Sequence, residues 1–351
     1  MRFRRCPAWL IAALCIAVVG PGGQTLFAQG SLPQNILQAQ ADLSAQEKST
    51  VDTFVDAQVA RLKSNDPAEV AAGRANLFDQ FNLSTSQFFL DYYRQSVAQR
   101  ITPLVQPDQP LMTRLNVAII SAKLSGASLV GILQTGAADP SPAVRYWIAK
   151  AIGGAAKAKA FDAQQQQDVL NSLAQRLKDE DSSLVLEQVM VAIAEIDLRE
   201  AIPTVLNGLD SRVTFHQNNP KAPFKPVQGG MQQLYRKLVE QRSGGTNVTN
   251  ELHNLARIAF RYYTLIGDQL EAISNEAPAD DTEAIKQDKA VMAGLCGQVM
   301  DYVVRDVAKL TPPQPVATNN AAQLKASAAL WRDILKAPPF NFTDEQFNTA
   351  Q

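Results

Sequence analysis

The feature that most restricts the fold of this chain is a displaced copy of itself. Shifting the sequence by 41 residues lays Val144, Ile148, Ala151 and Ile152 over Val185, Val189, Ala192 and Ile193, and Asp139-Pro140 over the acidic turn at Glu180-Asp181. Apolar residues three and four apart mark one face of a helix. Each block reads as a short helix, a polar turn and a second helix. Leu129, Ile132 and Leu133 lead into the turn at Asp139, Leu173 and Leu177 into that at Asp179, and Ile202, Val205, Leu206 and Leu209 into that at Asp210. One helical pair cannot bury its apolar face alone, so a period near ~40 residues predicts pairs stacked on their neighbours. The 50 alanines among 351 residues favour helix as well, because Ala loses no side-chain entropy on folding. With no sustained period-two run, the expected fold is all-α.

The segment Asp139-Pro140-Ser141-Pro142-Ala143-Val144-Arg145-Tyr146-Trp147-Ile148-Ala149-Lys150-Ala151-Ile152-Gly153 resembles the HEAT-repeat and armadillo-like solenoids. Its Asp, Pro, Val-Arg, Ala and Gly positions match that family's turn and core-facing helix. The next unit departs from the pattern, with Val185-Leu186 in place of Val-Arg and Ala194 in place of Gly. The likeness runs from about Leu111 to Val213, is faint from Asp66 to Gln80, and is absent after Gly230. It implies an α-α superhelix that presents an extended face to a protein or peptide partner.

The rest of the chain divides by punctuation. Residues 29–110 form an N-terminal helical region, in which Asp66-Pro67 starts a helix by a cap and a first-turn proline, and Pro103, Pro107 and Pro110 close it. The repeats fill 111–213. Pro220, Pro223 and Pro226 predict a loop or linker over 214–230. Helical rhythm returns over 231–337, interrupted at Ser243-Gly244-Gly245, with the longest pattern running from Ile285 through Met292, Val299 and Val307 to Leu310. A short polar tail is expected at 338–351.

Arg2, Arg4 and Arg5 precede an uncharged apolar run from Ala8 to Val19, and Leu26-Phe27-Ala28 offers a small residue for cleavage. This pattern predicts a secretory signal peptide over 1–28. The apolar run is shorter than the ~20 residues a spanning helix needs, so no transmembrane segment is expected in the mature chain. The expected location is exported: periplasmic, cell-surface or extracellular, in a bacterium. Removing three arginines and no acid leaves 30 Lys and Arg against 34 Asp and Glu. That balance provides no basic field for a string of phosphates, which argues against nucleic acid as a partner. Only Cys296 stays in the mature chain, so no intrachain disulfide forms.

Few residues suit catalysis, and no cofactor is expected. His216 and His253 have no Cys or second His at i+3 or i+4, which excludes a helical His-based zinc motif. Cys296 sits on an apolar helix face beside Gly294 and Gly297, without a basic neighbour to make a thiolate. The clusters Asp179-Glu180-Asp181 and Asp280-Asp281-Thr282-Glu283 lack the spacing of a calcium loop and read as helix-start charges. The expected function is a non-catalytic binding or scaffold protein. The candidate partner contacts are Arg145, Tyr146 and Trp147, with Tyr92, Tyr93 and Arg94 as a second patch. The alternatives are an all-α hydrolase or lyase using Asp179, Asp181 or Glu187, and an envelope component that self-associates through the helix at 281–310.

Overall fold

The structure, a computed structural model, describes residues 31–274 and 282–348 except Leu198 and the side chains of Lys178 and Asp179. The signal peptide expected at 1–28 and the acids Asp280 and Asp281 lie outside the described residues. Helices α1 (Gln34–Leu37), α2 (Ala45–Leu62), α3 (Pro67–Leu83) and α4 (Gln87–Ile101) come first. Then follow α5 (Leu111–Leu124), α6 (Val130–Ala137), α7 (Pro142–Lys157), α8 (Ala163–Asp179), α9 (Ser183–Glu195) and α10 (Ala201–Asn218). The chain continues through α11 (Lys225–Ser243), α12 (Thr249–Ser274), α13 (Thr282–Tyr302), α14 (Ala321–Lys336) and α15 (Asp344–Asn348), with no strand among the described residues. From Leu32 onward these helices form one compact unit.

Local chemistry sets the helix starts. Ser44 and Glu47 close a reciprocal capping box on α2, and Asp162 and Gln165 do the same on α8, each pair satisfying two backbone N–H groups that have no partner inside the helix. Asp66 accepts from the Ala68 N–H at 2.9 Å with Pro67 in the first turn of α3, as its sequence predicts.

Packing arranges the middle of the molecule in two rows. Helices α5, α7, α9 and α11 lie against one another in series, and α6, α8, α10 and α12 form a second row behind them. The apolar stripes found by the 41-residue shift meet between the rows: Val144, Ile148, Ala151 and Ile152 of α7 and Val185, Val189, Ala192 and Ile193 of α9 are all buried. At Gly153 a Cβ would stand 3.3 Å from Ala192 Cα, so the missing side chain lets α7 and α9 approach closely.

Five expectations need correction. The segment 214–230 is not a linker. Helix α10 runs to Asn218 and α11 begins at Lys225, leaving only six residues between them. Pro226 sits in the first turn of α11, where its missing N–H has no helical acceptor to lose; it is a start signal rather than a break. His216, expected in that loop, lies in the last turn of α10 and is buried.

The pattern from Ile285 to Leu310 is not one continuous α-helix. It stops at Tyr302, passes into a π-turn over Val303–Val307 and ends before Leu310. The longest helix is α12, with 26 residues. The tail is not simply polar: Phe340 and Phe347 are buried, the latter on α15. Finally, the turn expected at Asp210 is not there: Asp210 lies inside α10 and is buried. On α12, Tyr262 and Tyr263 are both buried, although neighbours on a helix point about 100° apart. Helix α12 contacts α10, α13, α14 and α15, and a helix covered on several sides keeps no solvent stripe there.

Candidate partner-binding face

Arg145 emerges from the first turn of α7, directed at the turn that opens the next pair. Its guanidinium donates to both oxygens of Glu180, at 2.7 and 2.8 Å, and to the carbonyls of Asp139 and Pro140. Glu180 in turn accepts from the Ser182 N–H at 2.9 Å, which ties the pair to the start of α9. The preceding unit repeats the device. Arg114 donates to Asp139 at 2.8 Å, and Asp139 accepts from the Ser141 N–H at the start of α7. Both arginines are the fourth residue of their helix. Burial alone would push the Glu180 carboxyl up, but the Arg145 guanidinium and the Ser182 N–H hold it below its usual value. Charge-assisted bidentate bonds of this kind fix geometry as well as supply energy. Arg145 therefore works between neighbouring helical pairs, with its donors engaged inside the chain.

Tyr146 and Trp147 sit next to that staple on the solvent side of α7, both half-buried. Their rings meet edge to face with centroids 5.7 Å apart, and Lys150 Nζ stands 4.7 Å over the Trp147 ring. On the neighbouring helices the corresponding stripes carry Leu115 and Ile119 (α5), then Glu187, Gln188 and Val191 (α9), again half-buried. Glu187 lies over Gly229 of α11, and Arg74 of α3 donates to Asn116 of α5 at 2.7 Å. Each stripe is the half-buried side of its own helix, and these helices pack against one another in series. Met112 and Leu184, each the second residue of its helix, stand exposed at 60% and 59% along the edge.

The second sequence patch is dispersed by its own packing. Tyr93 is fully buried and donates to the Leu77 carbonyl. Tyr92 is half-buried, donating to Asp52 at 2.9 Å beneath Lys48. Arg94 donates to the Leu124 carbonyl at 3.0 Å and lies over the Phe81 ring. The structure does not bring these three to one exposed surface.

Of the carboxylates considered for catalysis, two have described side chains. Asp181 is exposed, Glu187 rests on Gly229, and the Asp179 side chain lies outside the described residues. No group of three His, Cys, Asp or Glu among the described residues is placed to hold a metal ion. Cys296 is buried, and burial pushes its thiol well up, away from the reactive thiolate. His253 packs on Phe340, and its Nε2 has no hydrogen-bond partner.

Sequence reasoning missed two charged networks in the second half of the chain. Asp210 sits between Arg257 and Arg261, all three buried, and the arginines also donate to the carbonyls of Gln346 and Phe347 near the chain end. Lys289 is fully buried and forms no salt bridge among the described residues. Its ammonium donates to the Pro220 carbonyl at 2.7 Å and to Gln269, beneath the Phe224 ring at 4.8 Å, and burial lowers its pKa to about 8.

A cavity of about 420 Å³ lies between α13, α14 and the segment 313–318, with Tyr263, Gly294, Gly297, Asp301, Arg305 and Trp331 among its lining. Nothing at that cavity pairs a nucleophile with a base. No helix among the described residues is long and apolar enough to cross a membrane. Comparison with known protein families, with curated proteins and with solved structures gave no match.

Proposed function

We propose that this chain is an exported, non-catalytic binding or scaffold protein built on a HEAT-like superhelix, which offers the solvent side of α5, α7 and α9 to a protein partner. One observation carries the reading: half-buried apolar and aromatic side chains, Leu115, Ile119, Tyr146, Trp147 and Val191, recur on α5, α7 and α9, which pack in series. Scattered single apolar residues on a surface are ordinary, whereas a contiguous row is the mark of a contact site. Trp and Tyr contribute more than most side chains at such sites. The Tyr146 and Trp147 rings are already ordered by each other and by Lys150, which lowers the entropy lost on docking. Export rests on the sequence alone, from the Arg-led apolar segment that ends at Ala28.

The test is capture from an envelope fraction with the folded chain as bait. The expected result is a partner retained by the wild type and lost by Trp147→Ala or Leu115→Asp, each verified as folded by circular dichroism. Equal capture by the wild type and both variants would remove the face from the hypothesis.

A further inference from the structure

The charges of the chain are strongly segregated. Residues 111–161 hold six Lys and Arg against a single acid, Asp139, whereas the remaining residues from 29 on hold 24 Lys and Arg against 33 Asp and Glu. Two of the six, Arg114 and Arg145, are engaged in the inter-repeat staples. The other four are Lys123, Lys150, Lys157 and Lys159, all exposed and without an ion pair among the described residues. A cation in the last helical turn complements the helix dipole, which accounts for Lys123 and Lys157. It does not account for Lys150, in the middle of α7 over the Trp147 ring.

Their placement joins them to the apolar row. Trp147, Lys150, Gly154 and Lys157 follow one another at helical spacing on the solvent stripe of α7. Beside them, Lys123 ends α5 at the point where a Cβ on Gly154 would stand 3.2 Å from Ser125 Oγ. The face is therefore apolar toward the helix starts and cationic toward the helix ends.

We propose that the α5–α7 face docks an amphipathic acidic segment of a partner protein, its apolar side chains on Leu115, Ile119 and Trp147 and its carboxylates on Lys123, Lys150, Lys157 and Lys159. This rests on the binding function proposed above and names the chemistry of its partner. Ammonium groups set against an apolar row suit carboxylates on an amphipathic chain. The free cations are all Lys, whereas the planar fork that grips phosphate bidentately belongs to Arg, and both arginines of the segment are already bound to carboxylates.

The experiment uses the full chain and a fluorescein-labelled synthetic peptide of alternating Glu and Leu, read by fluorescence anisotropy at low and at physiological salt. The expected result is saturable binding that weakens as salt rises. It weakens further, about tenfold to a hundredfold, in the triple variant Lys150→Glu, Lys157→Glu, Lys159→Glu. These lysines are exposed, so the variant is expected to keep the wild-type circular dichroism spectrum with only a small fall in melting temperature; Lys150→Gln, Lys157→Gln, Lys159→Gln serves if the fall is large. Equal binding by wild type and variant overturns the proposal. So does a stronger response to phosphatidylglycerol vesicles, or to a single-stranded oligonucleotide of the same charge, than to the peptide. Envelope capture separates this failure from failure of the face itself. If Trp147→Ala loses the partner and the lysine variants keep it, the face stands and its acidic partner falls. If neither loses it, both fall.

Discussion

The two halves of the molecule handle buried charge in opposite ways. Between the stacked helical pairs of the first half, Asp139 takes Arg114 and Glu180 takes Arg145, and each acid also receives an N–H from the helix it precedes. The partners stand 25 and 35 residues apart, within one structural unit. In the second half, a single acid serves two arginines, Arg257 and Arg261, which lie 47 and 51 residues from it and also donate to carbonyls 89 and 86 residues away, Arg257 donating to Asn254 of its own helix as well. The repeat device is local and can be copied from turn to turn. The C-terminal device is global and occurs once, so removal of its acid leaves two cations exposed to the same loss.

That contrast is broken most directly at Asp210. Asp210→Asn keeps the shape but withdraws the carboxylate shared by both buried guanidinium groups. Leaving a buried charge uncompensated costs about 3–5 kcal/mol. The expected outcome is a large fall in the urea midpoint with unchanged slope, or failure to fold; a change under about 1 kcal/mol would show that the carbonyls of Gln346 and Phe347 suffice without it.

A second prediction concerns Lys289, whose pKa falls to about 8 through burial, against about 10.5 in an unfolded chain. Between these values the unfolded chain binds the extra proton and the folded chain does not, so stability attributable to this group rises with pH from about 8 to 10.5. It is lost as pH falls through about 8. Relative to Lys289→Met, the wild type should gain up to roughly 3 kcal/mol across that window. Buried Tyr93, Tyr262 and Cys296, whose groups burial pushes up, titrate in both proteins, and the difference between the two curves removes them. A flat difference would mean that the ammonium is solvated in place.

At the repeat staple the expected loss is smaller. Glu180→Gln removes the charge that Arg145 faces, yet Arg145 keeps the carbonyls of Asp139 and Pro140 and a side chain 14% exposed to water. A loss of about 1–3 kcal/mol follows from a hydrogen bond to a charged group. The folded carboxyl lies below its usual value, so this contribution is present above about pH 4.5 and disappears as pH falls through the folded value. Wild type and Glu180→Gln should therefore converge in acid. Combined with Asp210→Asn, the effect should be additive within about 0.5 kcal/mol, because the two networks share no partner.

The difference between the halves also governs what the sequence discloses. The stripe Val144, Ile148, Ala151 and Ile152 announces a buried helix face because periodicity is a local property, and Asp66-Pro67 announces a helix start for the same reason. Pro226 misleads because a proline looks the same whether it breaks a helix or opens one; only the position of Phe224, held by Asp288 at 2.6 Å from 64 residues away, settles the register. The Asp210 cluster is illegible because nothing near Asp210, Arg257 or the chain end marks them as neighbours. At the candidate face the aromatic pair is visible in the sequence, and so is Arg145. Arg145 is engaged by Glu180 because its reach to the next turn depends on how the pairs stack, which the residue order does not state.

The smallest predicted effect tests whether the ordering of Trp147 is local in the same sense as the staple beside it. Lys150 Nζ lies 4.7 Å over the indole while Tyr146 meets its edge. A cation over an aromatic face at an exposed site contributes about 0.5–1 kcal/mol, and removing an exposed lysine costs little else. Lys150→Ala should therefore shift the urea midpoint slightly, by no more than that amount, while Trp147 emission changes as the ring loses its cation. Trp331 is buried on α14, far along the chain from α7, and its emission should stay constant; a background with Trp9→Phe and Trp331→Phe isolates the signal. If Lys150→Ala instead costs several kcal/mol, the ring is a structural element of the repeat like Arg145, and the proposed face loses its anchor. If stability is unchanged and the emission of Trp147 moves, the indole is held in place by neighbours on its own helix and is available to a partner.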